Sequence, residues 1–133
     1  MLWRGEVKAQ NEAKYLSKSI IFIGVNYRDV LKEKLPKYKK EDIVVTDHAR
    51  KQAIFRSVDI KEVKENIINP IRLSYAGKQK AEKEGEEKYD CYFGYSKTQC
   101  HRYILVINAK CIVCTVIKIN RRWQHIVEKN AKI

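Results

Sequence analysis

Two runs near the C-terminal end, His101 to Ile107 and Cys111 to Ile119, are dense in β-branched residues and are joined only by Asn108-Ala109-Lys110. A link that short forces the runs to pair antiparallel, so this hairpin commits the chain to an antiparallel sheet. The aromatic stretch Tyr89 to Tyr95 reads as a neighbouring strand, with Ser96 to Cys100 as its connection. Ile71 to Tyr75 supplies a fourth. Residues 76 to 88 carry four basic and four acidic side chains and almost nothing apolar, and are expected to form an exposed loop.

Helical signals precede these strands. Ala9, Ala13, Leu16 and Ile20 recur at helical spacing in an otherwise polar segment. Ile20 to Val25 fits a short strand or a continuation of that helix, and periodicity does not decide. Asn26 can cap a helix through Leu35, which Pro36 stops. Asp42 to Thr46 reads as a strand or an extended lead-in. Asp47 is placed to cap a helix from His48 to Phe55. Asp59 caps another, with Glu62 as capping-box partner, Ile60, Val63 and Ile67 as its buried face, and Asn69-Pro70 as its end. Residues from Arg121 to Lys129 form a closing helix or tail. Helices first and strands second is the α+β order. The expected fold is N-terminal helices followed by an antiparallel sheet of about four strands. With 133 residues the chain fits a single domain, divided into a helical extension (1–40), a core (41–123) and a tail (124–133).

The formal net charge of +12 is the most unusual total. Self-repulsion of that size favours an anionic partner, nucleic acid before acidic protein, although a Lys-rich surface can also serve solubility alone. Met1-Leu2-Trp3-Arg4 leads into a polar stretch with no apolar run of the signal-peptide type, and Ile20 to Val25 is too short to span a bilayer. A cytoplasmic protein without membrane contact is expected.

Cys111 and Cys114 spell C-x-x-C. On a strand, positions three apart face opposite sides, so the two sulfurs cannot share a metal ion, and no helix follows as a redox motif requires. With Cys91 and Cys100 they read as buried thiols. A pairing of Cys91 with Cys100 or with a hairpin cysteine stays open for a chain that works at high temperature. No metal or other cofactor is called for.

Two stretches carry a resemblance. One is His48-Ala49-Arg50, then Arg56-Ser57-Val58-Asp59, Glu62-Val63 and Asn69-Pro70. The other is Arg102 to Val106, a short turn, Ile112 to Val116, then Arg121-Arg122-Trp123. The first resembles an uncharacterised prokaryotic domain with a His-Ala-Arg helical motif. The second resembles the final hairpin and basic tail of RelE/ParE/BrnT-type toxins. The resemblance spans residues 47 to 123 and implies a RelE-like sheet with helices on one face and a concave face open to RNA. It further implies a metal-independent endoribonuclease of toxin–antitoxin type with an acidic antitoxin partner. The alternative is a non-catalytic nucleic-acid-binding protein on the same fold, viral or regulatory.

Such cleavage needs a base for the ribose 2′-hydroxyl, cations for the phosphorane charge and an acid for the leaving oxygen. By motif position the resemblance assigns phosphate contacts to Arg102, Arg121 and Arg122. Arg102 is either a phosphate clamp or a strand cation beside Asp90. His48 is a candidate general base or acid at a helix start, or a structural hydrogen-bonding group there. Arg121 is the third catalytic candidate, though it and Arg122 also fit an ordinary basic tail. Arg50, Arg122, Trp123 and Lys118 are candidate nucleic-acid contacts, with Trp123 either stacked on a base or packed in the core. His101 rivals His48, but it and Arg102 should face opposite sides of their strand unless a bulge intervenes. Arg56 is expected to hold the turn between helices. Of Tyr89, Tyr92, Tyr95 and Tyr103, one set must be core, and the other is left to stack on bases or act as an acid.

Overall fold

The computed structural model describes residues 25–131, with side chains through 128. The helix expected around residues 5–19 and the apolar run at 20–24 lie outside the described residues. Five strands build one mixed sheet: β1 (Ile43–Val45), β2 (Leu73–Gln79), β3 (Glu87–Ser96), β4 (Gln99–Ile107) and β5 (Cys111–Ile119). Their order across the sheet is β1-β5-β4-β3-β2. Neighbours pair antiparallel except β1, which lies parallel to β5 with Ile43 beside Cys111 and Val45 beside Val113.

The fold class is therefore α+β, but the expected four-stranded antiparallel sheet is corrected to a five-stranded mixed one, with a strand ahead of three of the four α-helices. β1 is only three residues long, and its inward Ile43 and Val45 reach burial by extending an existing edge. The loop expected over residues 76 to 88 is also shorter. β2 continues to Gln79 and β3 starts at Glu87. An edge strand exposes one side to water, so polar residues there do not preclude pairing.

Four helices complete the described chain: α1 (Tyr27–Lys34), α2 (Asp47–Phe55), α3 (Ile60–Ile68) and α4 (Gln124–Ala131). Asn26 caps α1 as its position suggests. Thr46, one residue before the expected Asp47, caps α2 by accepting from the Ala49 amide. Asp59 caps α3, but Glu62 does not complete a capping box, because its carboxylate is taken by Tyr95.

The strand alternation sorts two faces. Tyr103, Leu105 and Ile107 of β4 join Tyr89, Cys91, Phe93, Val113 and Val116 against the first three helices. Leu31 and Leu35 are fully buried there, so α1 belongs to the same core as residues 41 to 123. On the other face Tyr92, Cys100 and Ile119 pack under Trp123 and α4. Gly94 permits this close approach. A Cβ there would stand 2.7 Å from the Trp123 ring and 2.9 Å from Ser74 Oγ. Among the described residues no helix is long and apolar enough to cross a membrane.

Candidate functional site

The polar end of the sheet is set by topology. β2 and β4 begin there and β3 and β5 end there, with Gly94 opposite Cys100 and Cys100 opposite Ile119. The Gly94 amide donates to the Arg72 carbonyl at 2.9 Å, which brings the residue before β2 to the same end. α2 runs along β5, anchored where the Val116 amide donates to Gln52 Oε1 at 2.9 Å, and the turn after it brings Ser57 to the cavity that Lys118 also lines.

The turn after α2 is a Schellman motif. The Val58 amide donates to the Ala53 carbonyl and the Ser57 amide to the Ile54 carbonyl, while Val58 and Ala53 are both buried. The motif forces a left-handed residue at Ser57, with φ of 57°. Glycine is the usual occupant, since a Cβ there costs about 1 kcal/mol.

A cavity of about 150 Å³ opens at this end, lined by Ser57, Glu62, Tyr95, Gln99, Cys100, His101 and Lys118. Its wall is one hydrogen-bond chain. Asn66, buried on α3, donates from Nδ2 to both Tyr95 Oη (2.8 Å) and Tyr103 Oη (3.0 Å). Tyr95 donates to Glu62 Oε2 at 2.6 Å. Tyr103 Oη lies 2.8 Å from His101 Nδ1. Having received the Asn66 proton, Tyr103 finds no acceptor among the described residues other than Nδ1. It therefore donates to His101 and fixes the neutral ring with its proton on Nε2. Burial, aided by Lys118 and Arg72 and opposed by Glu62, holds the His101 pKa below its ordinary value. His101 is thus a neutral hydrogen-bond donor rather than a base. Burial and the bond to Glu62 push Tyr95 up to about 12, so it too stays protonated.

Of the cations at this end of the sheet, Lys118 lines the cavity and Arg72 stacks on Tyr95 in its wall, while Arg56, Lys97, Arg121 and Arg122 lie in the α2–α3 turn, the β3–β4 turn and the segment after β5. None forms an ion pair with a carboxylate among the described residues. Arg72 lies 4.2 Å over the Tyr95 ring. Phe55 is 85% exposed, with the Arg56 guanidinium 5.9 Å from its ring centroid.

The expected catalytic set is not brought together. Arg102 lies on the face away from α1–α3, where Asp90 accepts from Nε at 2.8 Å and from Nη2 at 2.7 Å, and its guanidinium stacks 5.1 Å from the Tyr92 ring centroid. Of the two expectations for Arg102, the structure shows the strand cation beside Asp90, with both ends of its fork occupied by that carboxylate. His48 is exposed in the first turn of α2, in the helical layer across the sheet from Arg102. Arg50 is exposed on the same helix. Arg121 and Arg122 lie exposed after β5, at the end where Lys118 enters the cavity. Trp123 is 6% exposed, donates from Nε1 to the Ser96 carbonyl at 2.7 Å and stacks on Tyr92, so it is a core residue and not a base platform.

Sequence reasoning missed Asn66, Phe55, Arg72 and Lys97, gave Glu62 a capping role, and left Tyr95 open between core and functional roles. Glu62 and Tyr95 are 33 residues apart, and no local spacing signals their bond. Cys111 is buried among the helix-side core while Cys114 is only half-buried, and all four cysteines are free thiols. Burial raises each of them, Cys100 and Cys111 to about 12, which suits inert packing groups. No cluster of metal-ligating side chains occurs among the described residues. Compared with protein-family models, curated proteins and solved structures, the chain matches none of them.

Proposed function

We propose that the protein acts on RNA by gripping a single strand at the cationic end of the sheet. The observation that carries this reading is the gathering of six cations from four chain segments at one end of the sheet, none of them ion-paired among the described residues, with Lys118 in the wall of a small polar cavity there. Like charges gathered with few carboxylates among them cost stability, and phosphates relieve that cost. The exposed Phe55 ring beside Arg56 offers a surface on which an unpaired base can stack, a contact worth about 1–3 kcal/mol in single-strand binders.

The reading commits to binding before cleavage. Arg102, His48 and Arg121 occupy three separate places, and the His101 Nδ1 is taken up by Tyr103. A toxin-type endoribonuclease neutralised by an acidic protein partner is the second reading. Glu62 favours it, as the one carboxylate in the cavity wall and so the one group there able to accept a proton from a ribose hydroxyl.

Binding of a fluorescent single-stranded RNA across a salt series tests the first reading. If all six cations meet phosphates, log K should fall against log salt with a slope of roughly −4, at about −0.7 per phosphate on a single strand. A flat salt dependence would overturn it. Gel analysis of the same samples separates the two readings. Intact RNA supports binding alone. Fragments formed in the presence of a chelator, and lost in Lys118→Ala, would move the protein to the second.

A further inference from the structure

Ser57 and Glu62 are the two cavity residues that local folding rules do not explain. Ser57 stands where the Schellman turn calls for glycine, and its strain is kept at the cavity wall. Glu62, exposed on α3, forgoes the capping box of its own helix and holds a carboxylate in the same cavity wall as Lys118, forming no ion pair with any described residue. Its Oε2 takes the Tyr95 hydroxyl, and Oε1 has no partner among the described residues. An anion site would be weakened by this carboxylate, so its presence asks for a ligand that brings a hydroxyl donor next to a phosphate.

A ribonucleotide unit has that chemistry. Its 2′-hydroxyl adjoins the 3′-phosphate, and deoxyribose lacks it. A cavity of about 150 Å³ has room for roughly five waters, at about 30 Å³ each. That volume suits one sugar or one phosphate and is small for a whole nucleotide. We infer that the cavity is a ribose-reading subsite, in which Glu62 accepts from the 2′-hydroxyl and Ser57 bonds the same sugar, while the adjoining phosphate stays at its mouth against Lys118. The Glu62 charge also repels a phosphate that arrives without a hydroxyl, so selectivity for RNA over DNA is built from attraction and repulsion together. This inference rests on the RNA-binding reading above.

The test compares dissociation constants for one sequence as single-stranded RNA, as DNA and as 2′-O-methyl RNA. The wild-type chain should bind RNA about tenfold more tightly than the other two, the size expected of one hydrogen bond to a charged group. Glu62→Gln should bring the three within about threefold, chiefly by tightening DNA. Ser57→Gly, which relieves backbone strain and so keeps the fold, should narrow the preference by about threefold. Equal affinity of the wild type for RNA and DNA, or an undiminished preference in Glu62→Gln, overturns the inference while leaving the phosphate grip standing. Failure of every strand to bind at low salt removes the grip and the inference together.

Discussion

Asp90 holds Arg102 by two parallel hydrogen bonds of 2.7 and 2.8 Å, on the sheet face turned away from the first three helices. The Asp90 side chain is 9% exposed and that of Arg102 31% exposed, so the pair is largely withdrawn from water. Removing one member strands a desolvated charge, whereas removing both does not. Arg102→Ala should lower stability by about 2 kcal/mol, less than a fully buried pair because the guanidinium is partly solvated. A double substitution, Asp90→Val with Arg102→Met, should recover most of that loss in urea titrations. RNA affinity should stay within about twofold in both, since the lost cation was already neutralised.

Ser57 carries the opposite balance. Ser57→Gly should raise stability by about 1 kcal/mol, because glycine adopts a left-handed φ without a Cβ clash. Thermal or urea denaturation reads this directly. A loss of stability would mean that the serine hydroxyl supports the turn itself.

Asn66 is the hub between helix and sheet. Asn66→Ala removes the donor shared by Tyr95 and Tyr103 and should cost about 1–3 kcal/mol. Tyr92 gives the complementary case. Its hydroxyl is buried with no hydrogen-bond partner, so Tyr92→Phe should leave stability unchanged or raise it by about 1 kcal/mol. The urea midpoint should fall in Asn66→Ala and should not fall in Tyr92→Phe.

His101 sets a pH dependence. Its folded pKa lies below the ordinary 6.5, chiefly through burial. Below 6.5 the unfolded chain therefore binds a proton that the folded chain refuses, and stability falls. The loss should begin as pH drops through 6.5 and level off below the folded value. The carboxylates held low, Asp42 by the Lys39 amide and Lys110, and Glu87 by Lys34 and Tyr89, lose their contribution only in the lower carboxylate range. Denaturation midpoints between pH 8 and 5 should show the first decline in the wild type and not in His101→Gln.

The sequence was most legible where a local rule and tertiary burial agree. The Cys111–Ile119 hairpin arm is β-branched and central, and Asn26 and Asp59 cap helices from their own positions. Ile43–Val45 and the Gly77–Gln79 half of β2 were harder to read because they are edge segments, paired on one side and short or polar. Arg102 and Trp123 look functional by type and motif position. Their partners, Asp90 and the Ser96 carbonyl, are 12 and 27 residues away and become neighbours only through strand register. Glu62 and Ser57 obey local rules in the sequence and break them in the fold, and those departures mark the cavity.

The place where RNA contacts the chain is read most directly by amide chemical shifts during titration with a single-stranded RNA. Perturbations confined to residues 55–57, 72, 95–101 and 118–122 are expected, growing with RNA concentration and shrinking with salt. Shifts centred instead on Val106, Ile112 and the Asp90–Arg102 face, or no shifts at low salt, would contradict a nucleic-acid grip at the cationic end of the sheet.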